Sequence, residues 1–552
     1  MEPGLANPGN SHPNSECNAD SSLQRRDKLL TWLLVTFIIG FGLFLRIQML
    51  DAKFFENDES LHLQSAKKPT FAATLHAGTI HSHPPLIFLI HHALLPLGDS
   101  EPILRMSSTV FGIGALIAAF LWLKLFLGKA PAFVGLFFLT FSAPMMSMSV
   151  QMRSYMLLML LIFLALYFYE LFLHQRLLKY LILSNVMLLV ALCTHYVTSL
   201  LILTLGVLMA MRFIAGSLTR KETVVWGITQ LVLLGVCLFC LSHIQSIAAT
   251  PMNAYLWKSR LYSVRQFSPI VATFIQFTRF INFASSSWWI VFLLSFFSGL
   301  YALGRQSWSS ATKLLLRMEK PLLVILPFAI AMTTFNLRIY PLGPTRHSLW
   351  LIPFAAAGIS AAFIPLFKRF PRAGGLLVAP LLIVWCFSAA WPTVFQPERD
   401  LSPDMMRKTA SLIRNHVPKQ ELMVMDRCSM NVLDYYLARK TVNRRIDLGN
   451  GYFEHHFDGY RVIEVPAFTF LEYDVESEWK NLQEVLGSKT FEPLWVVQLG
   501  CNYPKDLLFD LRDFPLRKNL SRHTYGDNIL YRIKFISETE QASSDKTDSP
   551  QS

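Results

Sequence analysis

Residues 29–60, LLTWLLVTFIIGFGLFLRIQMLDAKFFENDES, decide the fold class of this chain. The run from Leu29 to Leu45 is apolar and uncharged, and no small-residue cleavage site follows it. It therefore predicts a retained signal anchor rather than a cleaved secretory signal peptide. Residues 1–28 are rich in Ser, Asn, Pro and Gly and end in basic residues, which predicts a disordered cytoplasmic tail.

The composition of the whole chain agrees with a membrane protein. Of its 552 residues, 53% are hydrophobic and 16% charged, whereas soluble domains carry about 25% charged residues. Residues 1–390 contain 29 Lys and Arg but 13 Asp and Glu, while residues 391–540 contain 20 and 22. This division predicts a polytopic α-helical membrane protein with a soluble C-terminal domain, and it excludes a disordered chain, a coiled coil and a disulfide-rich secreted module.

Apolar runs predict about eleven transmembrane helices in a membrane domain that covers residues 29–392. A span needs roughly 20 apolar residues, and the predicted spans lie near 29–45, 103–127, 131–148, 154–173, 178–194, 196–214, 224–247, 284–303, 319–335, 347–366 and 373–392. The run from Pro84 to Leu97 is too short to cross, and it predicts a re-entrant or interfacial helix within a first outer loop at 46–102.

The distribution of Lys and Arg supports this count and orients the chain. With a cytoplasmic N-terminus, every loop assigned to the inside is basic, as the positive-inside rule requires. The soluble domain then lies outside. We predict an α/β fold for residues 396–537, because helical and strand-like runs alternate there around a small mixed or parallel sheet, and a disordered tail for 538–552.

Acidic residues are scarce in residues 1–390, yet four of the thirteen lie together between positions 50 and 60: Asp51, Glu56, Asp58 and Glu59. The expected desolvation beside the membrane would raise the pKa of such carboxyl groups, which suits a general base or a metal ligand. The alternative is a solvated loop whose acids cap a helix, and for this motif alone that alternative is the better one.

Polar residues in other predicted outer loops favour a site at this face. They are His83, before Pro84-Pro85; Gln151, Arg153 and Tyr155; His195 and Tyr196; and Arg346 and His347. Singly, each is more often an interface anchor or part of an aromatic belt. Together, arginines and histidines beside carboxylates suit the binding of a phosphate-activated donor and the activation of an acceptor.

These motifs resemble those of the C-type (GT-C) glycosyltransferases. Asp58-Glu59 after the first span is similar to their acidic motif in the first outer loop. The segments His83-Pro84-Pro85-Leu86 and Leu104-Arg105 resemble the group of protein O-mannosyltransferases and lipid A aminoarabinose transferases. Gln151-Met152-Arg153-Ser154-Tyr155 and Thr194-His195-Tyr196 are most similar to the bacterial RgtA/B/C/D-like branch. Aminoarabinose transferases carry Lys before Pro-Pro, where this chain has His83.

The resemblance implies a membrane enzyme that moves a sugar from a polyprenyl-phosphate donor to an acceptor hydroxyl at the outer face, with inversion. It makes Asp58 the candidate base and Glu59 the residue that orients the base or the acceptor. His83, Arg153 and Arg346 would face the departing phosphate, and Tyr155 and His195 would shape the sugar pocket. Gln151, Tyr196 and His347 complete the predicted substrate-binding set.

The same resemblance leaves several choices open. The acceptor is a lipid, a glycan or a protein, and a divalent metal takes part in some members of the family and not in others. The bacterial branch suggests the inner membrane and lipopolysaccharide or other glycan synthesis, with no nucleic-acid partner. A transporter or flippase of a lipid-linked glycan, and a non-catalytic scaffold with a degenerate enzyme core, remain as alternatives. The near absence of acids within the spans disfavours a proton-coupled transporter.

Overall fold

The structure is a computed structural model that describes residues 14–79, 84–248, 268–310, 314–337, 339–371, 373–395, 403–437, 444–466, 481–482, 484–487, 494–499, 517–525 and 528–535. Its membrane part is helical. The helices are α1 Asn14–Met49, α2 Asn57–Ala66, α3 Phe71–Thr79, α4 Leu86–Leu94, α5 Glu101–Leu127, α6 Lys129–Phe141, α7 Ala143–Met148, α8 Tyr155–Gln175, α9 Leu178–Leu192, α10 Thr198–Ile214, α11 Arg220–Ala248, α12 Pro269–Ser285, α13 Trp289–Ser310, α14 Leu314–Arg317, α15 Glu319–Asn336, α16 Ile352–Ala361, α17 Ile364–Arg369 and α18 Ala373–Phe395.

Every predicted span coincides with helix in this structure. Within the described residues, seven helical segments are long and apolar enough to cross a membrane, and one of them, Pro269–Gln306, contains both α12 and α13. Four further apolar segments are shorter, among them Leu86–Leu97, the predicted interfacial helix. The polytopic helical fold is confirmed, and the count of eleven spans stays a prediction.

One predicted boundary is wrong. Residues 14–28 belong to α1, although they were expected to form part of a disordered tail. The physical reason is that neither Gly nor Pro follows Pro13 in that stretch, so the helix of the first span can continue toward the N-terminus one residue at a time. Residues 1–13 and 538–552 lie outside the described residues.

Exposed apolar side chains cover the outside of the helical part. Phe37, Ile214, Phe239 and Leu376 are each more than 70% exposed, as expected of surfaces that face lipid. Inside, small residues allow close helix crossings. A Cβ atom on Gly299 of α13 would lie 1.8 Å from the carbonyl oxygen of Gly358 in α16, so only glycine fits there. This crossing fixes α16, which directly continues the 3₁₀ helix Arg346–Leu351.

The soluble domain is α/β, as predicted, and its sheet is mixed. Helices α19 Pro403–His416 and α20 Arg427–Leu437 pack with strands β1 Leu422–Asp426, β2 Arg444–Gly449, β3 Tyr452–Phe457, β4 Tyr460–Val465, β5 Leu494–Gln498, β6 Arg517–Tyr525 and β7 Asn528–Phe535. The strand order is β2-β3-β4-β1-β5-β7-β6, in which β1 pairs in parallel with β4 and β5 while the other pairs are antiparallel. The sequence did not predict β2, β3, β4 and β6.

The soluble domain and the first loop of the membrane part share one apolar cluster. Phe54, Phe55 and Leu63 of that loop and Met152 of the loop before α8 are buried with Met406, Leu433 and Tyr435 of the soluble domain. Because these side chains come from both parts of the chain, the segment that carries the acidic motif is enclosed between the helical bundle and the soluble domain.

Candidate active site in the first loop

The loop that leads into α2 is folded around Arg105, a buried residue of α5. Its guanidinium donates five hydrogen bonds of 2.7–2.9 Å: to the carbonyls of Leu50, Lys53 and Phe54, and to both carboxylate oxygens of Glu59. An arginine has five N–H groups, so every donor is used. Residues 50–59 are therefore held in one conformation.

Glu59 is fully buried and joins two loops of the site. Besides the pair with Arg105, its Oε1 accepts the backbone N–H of Met152 at 2.8 Å, and its Oε2 accepts that of Glu56 at 3.1 Å. The Met152 contact connects the acidic motif to the loop that carries Arg153. Both oxygens of Glu59 are occupied by protein donors, so its geometry is that of a positioning residue rather than a group that meets substrate.

Asp58 lies on a different side of α2 and pairs with two arginines. Its Oδ2 makes ion pairs with Nη2 of Arg153 and with Nη2 of Arg346, and its Oδ1 accepts a hydrogen bond of 3.3 Å from the Asn57 amide. Arg153 comes from the turn before α8, and Arg346 opens the 3₁₀ helix before α16. The structure thus brings together three predicted residues that lie 95 to 288 positions apart in sequence.

The electrostatics of Asp58 differ from expectation. Burial alone would raise its pKa, as predicted, but the charges of Arg153 and Arg346 and the hydrogen bond from Arg153 outweigh burial and hold the pKa of Asp58 well below its usual range. The prediction of a raised pKa is therefore wrong for Asp58. The sequence placed it near the membrane surface but did not reveal that both arginines contact one oxygen.

Glu56 has the raised pKa that was expected of Asp58. Its carboxylate caps α2 by accepting the Glu59 backbone N–H, reciprocally with the bond from Glu56 to Glu59. Burial and then the charge of Glu59 raise the pKa of Glu56, against the opposing effects of Arg153 and Lys53. Glu56 also lines a cavity together with Lys53, Glu59 and Gln151. Sequence reasoning noticed this acid but gave it no role.

Donor groups at the site are available for a ligand. Nε of Arg153, Nε of Arg346 and the hydroxyl of Tyr155 are buried, and none of them has a hydrogen-bond partner in the part of the chain that the structure describes. Arg153 and Arg346 also carry one positive charge more than Asp58 balances. A buried donor without an acceptor is costly, so this arrangement favours an anion with several oxygens.

His195 lies beside Tyr155, as the predicted sugar pocket requires. Their ring centroids are 5.5 Å apart, and Nδ1 of His195 accepts the backbone N–H of Val197 at 3.2 Å. Burial, and then the charge of Arg346, lower the pKa of His195 to about 4. The imidazole is therefore neutral at physiological pH, and it can take part in hydrogen bonds without adding to the positive charge of the arginines.

The remaining predicted residues are placed less directly. Gln151 is buried at the cavity beside Glu56. Tyr196 is half-buried, and its carbonyl accepts hydrogen bonds from Ser199. His347 is half-buried beside Arg346, and its carbonyl accepts the hydroxyl of Tyr340 at 3.3 Å. His83 lies outside the described residues. The roles of these four residues stay predictions.

Within the described residues, no group of three or more His, Cys, Asp or Glu side chains is arranged to hold a metal ion.

The sequence did not reveal that Arg105 holds the first loop in one conformation or that the soluble domain contributes to the site. Leu104-Arg105 was visible as a family-like motif, but its five acceptors, three of them backbone carbonyls, leave no trace in sequence.

Known proteins identify the fold. Residues 82–244 match the family described as dolichyl-phosphate-mannose-protein mannosyltransferase. The solved structure of ArnT from Cupriavidus metallidurans in the apo state is similar, with a TM-score of 0.55 and 12% identity over 92% of this chain and 98% of that one. The chain therefore has the fold of this ArnT, and residues 82–244 carry the family match. The predicted resemblance to the C-type glycosyltransferases, and the prediction of a membrane glycosyltransferase, are confirmed.

Two further comparisons complete this result. The structure of the same ArnT bound to undecaprenyl phosphate matches with a TM-score of 0.50 and 11% identity, over 90% of this chain and 97% of that one. Archaeal oligosaccharyltransferase AglB from Archaeoglobus fulgidus matches with a TM-score of 0.49 and 10% identity, over 94% and 75%. No curated protein matches this chain. Its assignment to the RgtA/B/C/D-like branch stays a prediction.

Proposed function

We propose that this glycosyltransferase moves a sugar from a polyprenyl-phosphate donor to an acceptor hydroxyl, with inversion at the anomeric carbon. The observation that carries the proposal is the position of Asp58 between Arg153 and Arg346, which puts a carboxylate next to surplus positive charge. A base and a phosphate site are the two groups that this reaction requires side by side.

The two arginines would bind the donor phosphate. Their Nε atoms donate no hydrogen bond to any described residue, and a guanidinium group binds phosphate through two parallel hydrogen bonds. The ArnT structure of similar fold holds undecaprenyl phosphate, which supports a polyprenyl-phosphate donor here. Tyr155 and neutral His195 would face the sugar, because they lie next to each other and next to Arg153 and Arg346.

The reaction is then a single displacement. The acceptor oxygen attacks the anomeric carbon, and a new carbon–oxygen bond forms while the bond from that carbon to the phosphate oxygen breaks. The phosphate leaves with the electron pair, and the arginines stabilise its growing negative charge. The proton of the acceptor hydroxyl passes to Asp58. Because attack occurs opposite the leaving group, the configuration inverts.

Binding of the donor would itself prepare Asp58 for this role. In the structure the arginines hold the pKa of Asp58 low, which makes it a weak base. A phosphate that takes over part of their charge weakens this effect, so the pKa of Asp58 rises when the donor is bound. Proton acceptance is then coupled to the presence of donor, since the same two cations serve both anions.

The two ends of the helical bundle support an active site at one membrane face. The loops with Asp58, Arg153, His195 and Arg346 meet at one end of the bundle. Separate ion pairs lie at the opposite end of the bundle, where α8 and α10 end and α11 and α15 begin. They join Arg212 with Glu319 at 2.5 Å and Arg176 with Glu222 at 2.7 Å. We place the site at the outer face of a bacterial inner membrane and the N-terminus in the cytoplasm, following the basic inner loops.

Replacement of the base tests the proposal. The wild-type protein and Asp58→Asn should be supplied with radiolabelled undecaprenyl-phosphate sugars, mannose and aminoarabinose first, and with membrane extracts as acceptors. Loss of the base should reduce transfer about 10²- to 10⁴-fold. Asp51→Asn is the matched control, because Asp51 is an exposed acid of the same loop that pairs with Arg407, and it should transfer like wild type.

The phosphate site is tested by binding. Arg346→Gln should weaken the binding of undecaprenyl phosphate and raise the KM for donor, whereas Arg407→Gln, at an exposed arginine of the soluble domain, should change neither. Unchanged transfer by Asp58→Asn would refute its role as the base. Movement of lipid-linked sugar across proteoliposomes without glycosyl transfer would favour the flippase alternative instead.

A further inference from the structure

We propose that the soluble domain positions the catalytic carboxylate, and that Asn431 and Tyr436 of helix α20 are the positioning residues. This inference rests on the proposed role of Asp58 and extends it to a domain in which the sequence offers no catalytic motif. The contacts that carry it run from α20 to residues 55–57, which immediately precede Asp58 in the chain.

A relay of two amides connects α20 to the carboxylate. The amide nitrogen of Asn431 donates to the side-chain oxygen of Asn57 at 2.8 Å, and the amide nitrogen of Asn57 donates to Oδ1 of Asp58 at 3.3 Å. Asn431 is 5% exposed, so water does not easily replace it. The bond from Asn431 thus fixes which end of the Asn57 amide faces Asp58.

The orientation of Asn57 matters because its two ends have opposite effects. With nitrogen toward Asp58, the amide satisfies the oxygen that the arginines leave open. Turned by 180°, it would present its oxygen to the carboxylate and repel it. Asp58 then has one oxygen held by Arg153 and Arg346 and the other by Asn57, which sets the direction in which the carboxylate faces the site.

Tyr436 fixes the backbone of the same segment. Its hydroxyl accepts the N–H of Phe55 at 2.8 Å and donates to Oε1 of Glu101 at 3.1 Å. Burial, and then the charge of Glu101, raise the pKa of Tyr436, so the hydroxyl remains protonated and able to donate. The neighbouring Tyr435 stacks on the ring of Phe55 with centroids 4.4 Å apart.

The loop is consequently held from two directions. Arg105 binds its carbonyls from the helical bundle, and α20 binds its N–H and side-chain amide from the soluble domain. Misplacement of a catalytic group by about 1 Å can reduce a rate roughly 100-fold. Contacts that fix the residues next to Asp58 should therefore affect the chemical step more than donor binding.

Isosteric variants test this inference. Asn431→Asp keeps the shape but replaces the donor by an acceptor, so the Asn57 amide should turn over. Tyr436→Phe keeps the ring and removes only the hydroxyl. We expect each variant to lower kcat about tenfold while the KM for undecaprenyl-phosphate sugar and the thermal midpoint in detergent change little.

Asp434→Asn is the matched control. Asp434 lies on the same helix and accepts a hydrogen bond of 3.2 Å from Gln64 of α2, so it contributes to the same interface through a different residue of α2. If α20 only attaches the domain, Asp434→Asn and Asn431→Asp should behave alike. If α20 positions Asp58, only Asn431→Asp should lose kcat. Asn57→Ala removes the relay from the other end and covers the case in which Tyr436→Phe folds poorly.

The outcomes separate the two proposals. Transfer that Asp58→Asn leaves intact refutes the proposed function. If Asp58→Asn abolishes transfer but kcat stays at the wild-type value in Asn431→Asp, Asn57→Ala and Tyr436→Phe, the positioning role is refuted. A loss confined to KM, or a loss equal to that of Asp434→Asn, refutes it as well.

Discussion

Arg105→Lys is the sharpest test of how the acidic motif is held. The substitution keeps the positive charge opposite Glu59 but reduces the number of N–H donors from five to three. At least two of the five bonds that Arg105 donates must be lost. The oxygens of Glu59 also accept backbone N–H groups, so the acceptors that can be left unsatisfied are the carbonyls of Leu50, Lys53 and Phe54. Arg105 is 1% exposed, so water does not readily compensate.

The expected size of the effect follows from this count. Leaving a buried acceptor unsatisfied costs about 1–3 kcal/mol, so two of them cost roughly 2–6 kcal/mol. Part of this cost will appear as lower stability and part as disorder of residues 50–59. Since about 1.4 kcal/mol corresponds to a factor of ten, we expect kcat to fall about 10- to 100-fold. The KM for donor should change less, because Arg153 and Arg346 are intact.

The assay compares four variants by transfer of radiolabelled sugar and by thermal midpoint in detergent. Arg407→Lys is the control, since Arg407 is about half exposed, and its surface ion pairs are worth only about 0–1 kcal/mol. Glu59→Gln should reduce kcat like Arg105→Lys, and the double variant should lose less than the product of the two, because both break one contact. Wild-type kcat in Arg105→Lys would show that the loop does not depend on this network.

Two further predictions concern pH. Glu56→Gln keeps the acceptor that caps α2 but removes a carboxyl group whose pKa is raised in the native protein. Above about pH 4.5 native Glu56 binds more protons than Glu56 of the unfolded chain, so the wild-type protein loses stability as the pH rises through that window. The thermal midpoint of the variant relative to wild type should therefore increase from pH 4 to pH 8. A difference independent of pH would contradict this. His195, with a native pKa of about 4, should not titrate in the pH–rate profile of sugar transfer between pH 5 and 8. His195→Asn should therefore change the transfer rate while the shape of the pH–rate profile stays the same. Loss of a titration step near pH 6.5 in this variant would refute the assignment.

Topology made much of this site predictable. Once the apolar runs and basic loops fixed which loops share a face, Asp58, Arg153, His195 and Arg346 had to lie at the same end of the bundle. The background of few acids singled out the motif at 56–59. The sequence could not predict which acidic residue pairs with which arginine, because those partners are 46 to 288 residues apart and each pairing depends on the direction of the side chains.

The difference between Asp58 and Glu59 shows this limit clearly. They are neighbours in sequence, and only the family resemblance gave them different roles, Asp58 as the base and Glu59 as the orienting residue. Both lie in the first turn of α2, and successive residues of a helix point about 100° apart. One therefore faces the loops with Arg153 and Arg346, and the other faces Arg105 inside the protein. The sequence left a helix cap as the alternative to a site, yet the structure contains both, since Glu56 and Glu59 form the cap and Asp58 pairs with the arginines of the site.

Three carboxylates within four residues thus have three different charge environments. Glu59 is matched by one arginine and satisfied by backbone donors, which makes it part of the scaffold. Asp58 faces two arginines, so it stays ionised and leaves positive charge for a second anion. Glu56 has no described ion pair, and it is the acid whose pKa rises. Because the surplus positive charge of Arg153 and Arg346 lies beside Asp58 and not beside Glu59, an incoming phosphate would change the basicity of Asp58 and leave that of Glu59 as it is. This asymmetry is the physical reason to assign catalysis to Asp58 and to expect Glu59 to act only through position.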